Sequence, residues 1–238
     1  MEFQATNNSA QRKWTQRATR DDFRYGWRDG CGVPVETMVS LCNRLDATAW
    51  FCMPENADDE YVRTFASLVK NLLKQDIAVC VEFSNEVGNR AFSAFHEAVE
   101  HSRARGFADD ADDPDIAAAR FYSARSIEIF RIWKSVFAGQ EHRIFGVVTA
   151  IARKPSAMAS VREILNFQNA WREIDAIATA PYIGVGIQNR LPEPIETISV
   201  EQLLDFLGAE LLGQVSEEID RMAALAREFG PSSTLSKH

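Results

Sequence analysis

No run of about 18 apolar residues, the length needed to cross a bilayer, occurs in this chain of 238 residues. Its first residues, Met1-Glu2-Phe3-Gln4, lack the basic segment and apolar core of a secretory signal. The expectation is a soluble protein with no signal peptide and no membrane partner, its compartment left open. Clustered positive charge is missing too. Lys and Arg number 26 against 34 Asp and Glu, a net charge of −8 with no local basic patch to reverse it, which disfavours nucleic acid as a partner. A neutral sugar or another small molecule is compatible with that balance. Cysteine is scarce, and none of Cys31, Cys42, Cys52 and Cys80 falls in a C-x-x-C spacing. Neither a zinc site nor a redox pair is expected, and Cys52 and Cys80 read as buried thiols near the ends of adjacent strands. No internal repeat or low-complexity tract is visible.

What the sequence does hold is apolar patterning in β-then-α alternation. A hydrophobic content of 46% suits one compact domain over residues 1–230, followed by a polar, disordered tail over 231–238. Residues 2–6 read as a strand. Residues 8–33 read as a long irregular loop in which Trp14, Tyr25 and Trp27 are either sugar platforms or anchors of the loop to its own domain. Pro34 in a first-turn position opens a helix through Leu45. Strand 47–53 follows, then helix 57–75, capped by Asp58 or Asp59, with Tyr61, Phe65, Leu68, Val69, Leu72 and Leu73 on the face toward a sheet. Strand 77–84 leads to a helix from about 87 to 105. The acidic run Asp109 to Asp115 lacks the twelfth-position Glu of an EF-hand, that place being Arg120, so Asp113 and Pro114 read as the cap and first turn of helix 115–138. Strand 143–150, helix 156–170, strand 175–182 and helix 200–228 complete the order. Ala176, Ala178 and Ala180 suit a crowded barrel interior.

The most informative stretch is Val79-Cys80-Val81-Glu82-Phe83-Ser84-Asn85-Glu86-Val87-Gly88-Asn89. A β-branched apolar run stops abruptly in polar residues at a strand's C-terminal end, where α/β enzymes present catalytic groups. Glu86 is the candidate for proton transfer and Asn85 for holding a substrate hydroxyl. The plainer reading is a strand followed by a helix capped by Ser84 or Asn85. Glu82 lies four residues back, about 13 Å along the strand, so it cannot pair with Glu86 across a scissile bond; pointing into the interior, it would need a cation. Other chemistry is poorly supported. His96 and His101 stand about 140° apart around a helix, the wrong spacing for one metal ion. Gly184 and Gly186 lack the third glycine of a dinucleotide loop, and no Ser sits in a Gly-x-Ser-x-Gly elbow.

Val-Glu-Phe-Ser-Asn-Glu-Val-Gly-Asn resembles the fourth-strand motif of clan A glycoside hydrolases, in which an Asn-Glu pair ends strand four. It is most similar to an uncharacterised branch reading roughly Val-Glu-Tyr-Ser-Asn-Glu-Val-Trp-Asn, with Gly88 standing where that branch has Trp. Asn7, Trp14 to Arg17, Gly32 to Glu36, Trp50 to Pro54, Ala57 to Val62 and Ala180-Pro181-Tyr182 resemble further segments of it in order. The resemblance implies an α/β fold, a parallel (β/α) TIM-type barrel that is incomplete, its five strands similar to strands two to six, so that the chain looks truncated at both ends. It implies a carbohydrate-active protein similar to retaining glycoside hydrolases. Glu86 would be the acid/base, Asn85 would bind the sugar hydroxyl beside the scissile bond, and Trp50, Tyr182 and Asn7 would complete the substrate site. No cofactor or metal is implied. The nucleophile of such enzymes is a Glu ending strand seven, which lies outside this sequence. Hydrolysis by this chain alone is therefore expected to be poor, with self-association through open barrel edges. The alternatives are a noncatalytic carbohydrate-binding or scaffold protein, or a gene fragment.

Overall fold

The computed structural model describes residues 11–22, 32–150, 157–179, 197–229 and 234–235, together with positions 189, 191 and 194. Strands β1 (Ala49–Met53), β2 (Val79–Phe83), β3 (Ile144–Ala150), β4 (Ala176–Thr179) and the two-residue β5 (Thr234–Leu235) form one sheet in sequential order. Every pairing is parallel. The expected strands near 47, 77, 143 and 175 are thus present and adjacent, while residues 2–6 lie outside the described residues. Of the tail expected to be disordered, residues 234–235 pair with Ala176 and Ile177 of β4 as β5, and its other residues lie outside the described residues.

Helices fill the connections: α1 (Val35–Leu45), α2 (Asp59–Leu72), α3 (Ser93–Ala104), α4 (Pro114–Val136), α5 (Ala157–Asn166) and α6 (Val200–Glu228). Their starts follow local chemistry. Asp58 caps α2 by accepting from Tyr61 N at 2.8 Å, and Asp113 caps α4 by accepting from Asp115 N at 2.9 Å. Ser199 and Gln202 form a reciprocal capping box on α6. One expectation fails here: α3 begins at Ser93 rather than near residue 87, behind Phe92, which offers no side-chain cap. Neither Ser84 nor Asn85 caps a helix, since both lie in the β2–α3 loop.

One core holds the helices to one face of the sheet. Alternate strand residues Ala49, Phe51, Met53, Val79, Val81, Phe83, Ile144, Val148 and Ile177 join buried residues from all six helices in a single cluster. Its centre is aromatic. Phe51 stacks on Trp133 at 6.0 Å between ring centroids, and Phe65 approaches both rings. Gly146 is required where α4 crosses β3, because a Cβ there would fall 2.5 Å from the Phe130 ring. Arg125 fastens α4 to the start of α2 through Asp59 Oδ1 and Ala57 O. The opposite sheet face carries Trp50, Cys52, Cys80, Glu82, Phe145, Val147, Thr149, Ala176 and Ala178; among the described residues a small cluster of Val147, Ala176 and Ala178, with Trp50 and Cys80 against it, packs there. Cys52 is buried and Cys80 half-buried, both as free thiols.

Trp14, in a 3-10 turn over residues 14–16, packs edge-on against Tyr61 at 5.4 Å and Phe65 at 6.3 Å, with the Arg17 guanidinium 4.5 Å from the ring centroid. These contacts anchor its loop to α2. Tyr25 and Trp27 lie outside the described residues.

No described helix is long and apolar enough to cross a membrane.

Candidate active site

β2 ends where its polar residues begin, and the chain then turns sharply. Ser84 (φ 53°) and Glu86 (φ 50°) both adopt the left-handed conformation, which is uncommon for residues with a Cβ, so two strained positions flank Asn85. Tertiary bonds hold this geometry. Ser84 is fully buried and its N–H donates to Met53 O at 2.8 Å, while Asn89 N–H closes a turn onto Glu86 O at 2.8 Å. The Asn89 side-chain amide donates to Glu86 Oε2, also at 2.8 Å, and orients the carboxylate.

A cavity of about 300 Å³ opens at this end of the sheet, between the strand ends and α3, α4 and α5. Trp50, Asn85 and Glu86 all line it, so three of the five expected site residues meet in one place. The other two, Asn7 and Tyr182, lie outside the described residues. Gly88 lines the same wall, and a Cβ there would meet nothing within 4 Å. Asp115, at the start of α4, supplies a second carboxylate to the wall and accepts from Arg90 Nε at 2.9 Å. Asp58 and Asp59 are occupied elsewhere, by the α2 cap with Lys13 and by Arg125 respectively.

Several lining residues carry little signal in the sequence. Tyr122 belongs to the apolar stripe of α4 and reads locally as core. Thr149 and Thr179 have a faint signature, a hydroxyl residue at or next to the end of an apolar strand, close to the pattern that singled out Glu86. Beneath them lies Glu82, on the sheet face opposite the helices. Among the described residues no Lys, Arg or His pairs with it, unlike the cation partner expected from the sequence: its carboxyl accepts from Thr149 Oγ1 at 2.6 Å, Trp50 Nε1 at 3.0 Å and Cys52 Sγ at 3.6 Å. Burial pushes this carboxyl up to about 7, against the three hydrogen bonds, which favour its charged form. Tyr122 Oη accepts from Thr149 N at 2.9 Å and lies 3.4 Å from Thr149 Oγ1. Burial, and then the nearby Glu82 charge, raise the phenol well above its ordinary range.

A further carboxyl stands just past β1. Burial lifts Glu55 to about 7, against a hydrogen bond from Ser93 Oγ and with help from the Glu97 charge. It is not among the residues lining the cavity. Among the described residues no three His, Cys, Asp or Glu side chains converge as a metal site.

Such a site offers an indole, a side-chain amide, two carboxylates and several hydroxyls around one volume. These groups combine an apolar ring with hydrogen-bond donors and acceptors and a carboxyl at Glu86. Comparison of the chain with known protein families, curated proteins and solved structures finds no match.

Proposed function

We propose that this chain is a carbohydrate-active protein with an incomplete (β/α)-barrel scaffold of the glycoside hydrolase type, and that the cavity takes a glycoside. The observation that carries this reading is the meeting of Trp50, Asn85 and Glu86 around one cavity at the C-terminal strand ends. An indole face suits the apolar side of a sugar ring, and the neighbouring amide and carboxylate suit its hydroxyls and glycosidic oxygen. Sequential parallel strands with the described helices on a single face support a barrel segment over a doubly wound sheet, in which helices would lie on both faces.

In this reading Glu86 protonates the leaving oxygen and then accepts a proton from water. Asn85 holds the hydroxyl next to the scissile bond, and Asn89 keeps the Glu86 carboxyl aimed. Retention of configuration would require a second carboxyl roughly 5 Å away. Asp115 is the candidate on this chain, and its exposed pair with Arg90 is weak enough to open toward a ligand.

The test is incubation of the purified chain with a panel of 4-nitrophenyl β-glycosides beside Glu86→Gln and Asp115→Asn. Slow hydrolysis is expected, with Glu86→Gln lowering it about 10²-fold or more while the glycoside still binds. Saturable binding without turnover in any of the three proteins would assign the chain to noncatalytic carbohydrate binding. Absence of both binding and turnover across the panel would overturn the carbohydrate reading.

A further inference from the structure

Three side chains in the cavity wall come from distant parts of the chain: Trp50 from β1, Tyr122 from α4 and Thr149 from β3. One buried group connects them. Strand alternation turns Trp50, Glu82 and Thr149 to the same sheet face, and the parallel register sets Glu82 directly between Cys52 and Val147. The Glu82 carboxyl lies 3% exposed below the wall, not in it. It receives the indole N–H of Trp50 on one oxygen and the hydroxyl of Thr149 on the other. Thr149 in turn meets Tyr122 twice, through its backbone N–H and its hydroxyl.

We propose that Glu82 is the positioning residue of the cavity: its carboxyl locks the Trp50 indole and the Thr149 hydroxyl, and through Thr149 sets whether Tyr122 donates to or accepts from a bound ligand. The proton inventory makes the last step concrete. When Glu82 is ionised, Thr149 Oγ1–H donates to it, leaving the Thr149 oxygen to accept from Tyr122 Oη–H. Tyr122, already accepting from Thr149 N, then faces the cavity as an acceptor. When Glu82 takes up one proton, its O–H donates to Thr149 Oγ1, the Thr149 hydroxyl turns toward Tyr122, and the phenol O–H is released to donate into the cavity. No atom moves beyond two hydroxyl rotations and one bound proton. Burial holds the Glu82 carboxyl near 7, so both states are populated close to neutral pH. Among the described residues the titratable side chains facing it are the Cys52 thiol from β1 and the Tyr122 phenol from α4, and Tyr122 is raised out of this range.

This assignment rests on the cavity being a ligand site, but its readout needs no ligand. In ¹H–¹⁵N spectra of the whole chain, the Trp50 indole N–H is assigned by its loss in Trp50→Phe and followed between about pH 5 and about pH 9. A single transition near pH 7 is expected, absent in Glu82→Gln and retained in Glu86→Gln. Thr149→Val removes a bond to the charged carboxyl, so the transition should move up by about one pH unit. A wild-type resonance that does not titrate, a transition that survives Glu82→Gln, or one that Thr149→Val leaves in place or lowers would each overturn the assignment. Should Glu82→Gln fail to give a folded spectrum, the wild-type and Thr149→Val transitions decide alone. Loss of glycoside binding with these transitions intact defeats the carbohydrate reading only; binding without the transitions defeats the Glu82 assignment only.

Discussion

Glu82 and Glu86 are four residues apart in one strand–loop segment and have opposite circumstances. Glu86 sits in a cavity wall in a left-handed conformation, and Glu82 lies buried on the sheet behind it. The buried one carries a stability consequence whose sign follows from its pKa. Folding raises the carboxyl from 4.5 to about 7. Below pH 4.5 it is protonated in both states. As pH rises toward 7 the unfolded chain loses the proton first, and above 7 the folded chain must bury a charge. This group's contribution is therefore largest at acid pH and is lost as pH rises through about 7, by about 3 kcal/mol. Urea unfolding near pH 5 and pH 8 should show that loss in the wild type and its absence in Glu82→Gln; equal pH slopes in the two proteins would refute it. Glu55 acts with the same sign through its own raised carboxyl, so some slope remains in the variant. Glu82's alternation placed it inward from the sequence alone, but its compensation was illegible. The donors Trp50, Cys52 and Thr149 stand 32, 30 and 67 residues away, and nothing local to Glu82 announces them.

At the level of elements, strands and helices are set by period and caps, but their junctions are set by contact. The crossing of α4 over β3 shows this most plainly. Gly146 lies inside an apolar strand pattern and reads as a weak point, yet the Phe130 ring occupies the space any side chain would need. Gly146→Ala should cost about 1–3 kcal/mol in thermal or denaturant unfolding, and Phe130→Leu in the same chain should recover part of it. An unchanged melting temperature in Gly146→Ala would mean α4 does not approach β3 this closely. The β2–α3 connection errs in the other direction. A helix starting near residue 87 is a fair reading of Ser84 and Asn85 as caps, but turns over 86–89 and 89–92 intervene and delay α3 to Ser93. Those turns lie where Asn85, Glu86 and Gly88 line the cavity.

For the molecule as a whole, the described residues cover one face of the sheet well and the other sparsely. Phe145 is 40% exposed on the latter, in register with Cys80 and Trp50, which gives that face an apolar row. Concentration-dependent self-association is expected in sedimentation velocity, reduced by Phe145→Ser; a monomer at all concentrations would remove this expectation. By itself the sequence determined the β/α alternation, the parallel order of four strands, the helix caps at Asp58 and Asp113, and the polar stop of β2 at Ser84-Asn85-Glu86. These are local properties, written in period-two and helical spacing and in the polar stop at a strand end. Tertiary structure alone decided that Trp14 is a loop anchor and that residues 234–235 join the sheet. It alone brought Asp115, Tyr122 and Thr149 to the cavity and wired Glu82 beneath it. Each of those outcomes depends on which distant backbone or ring lies a few ångströms away, and only packing the helices against one face of the sheet sets that distance.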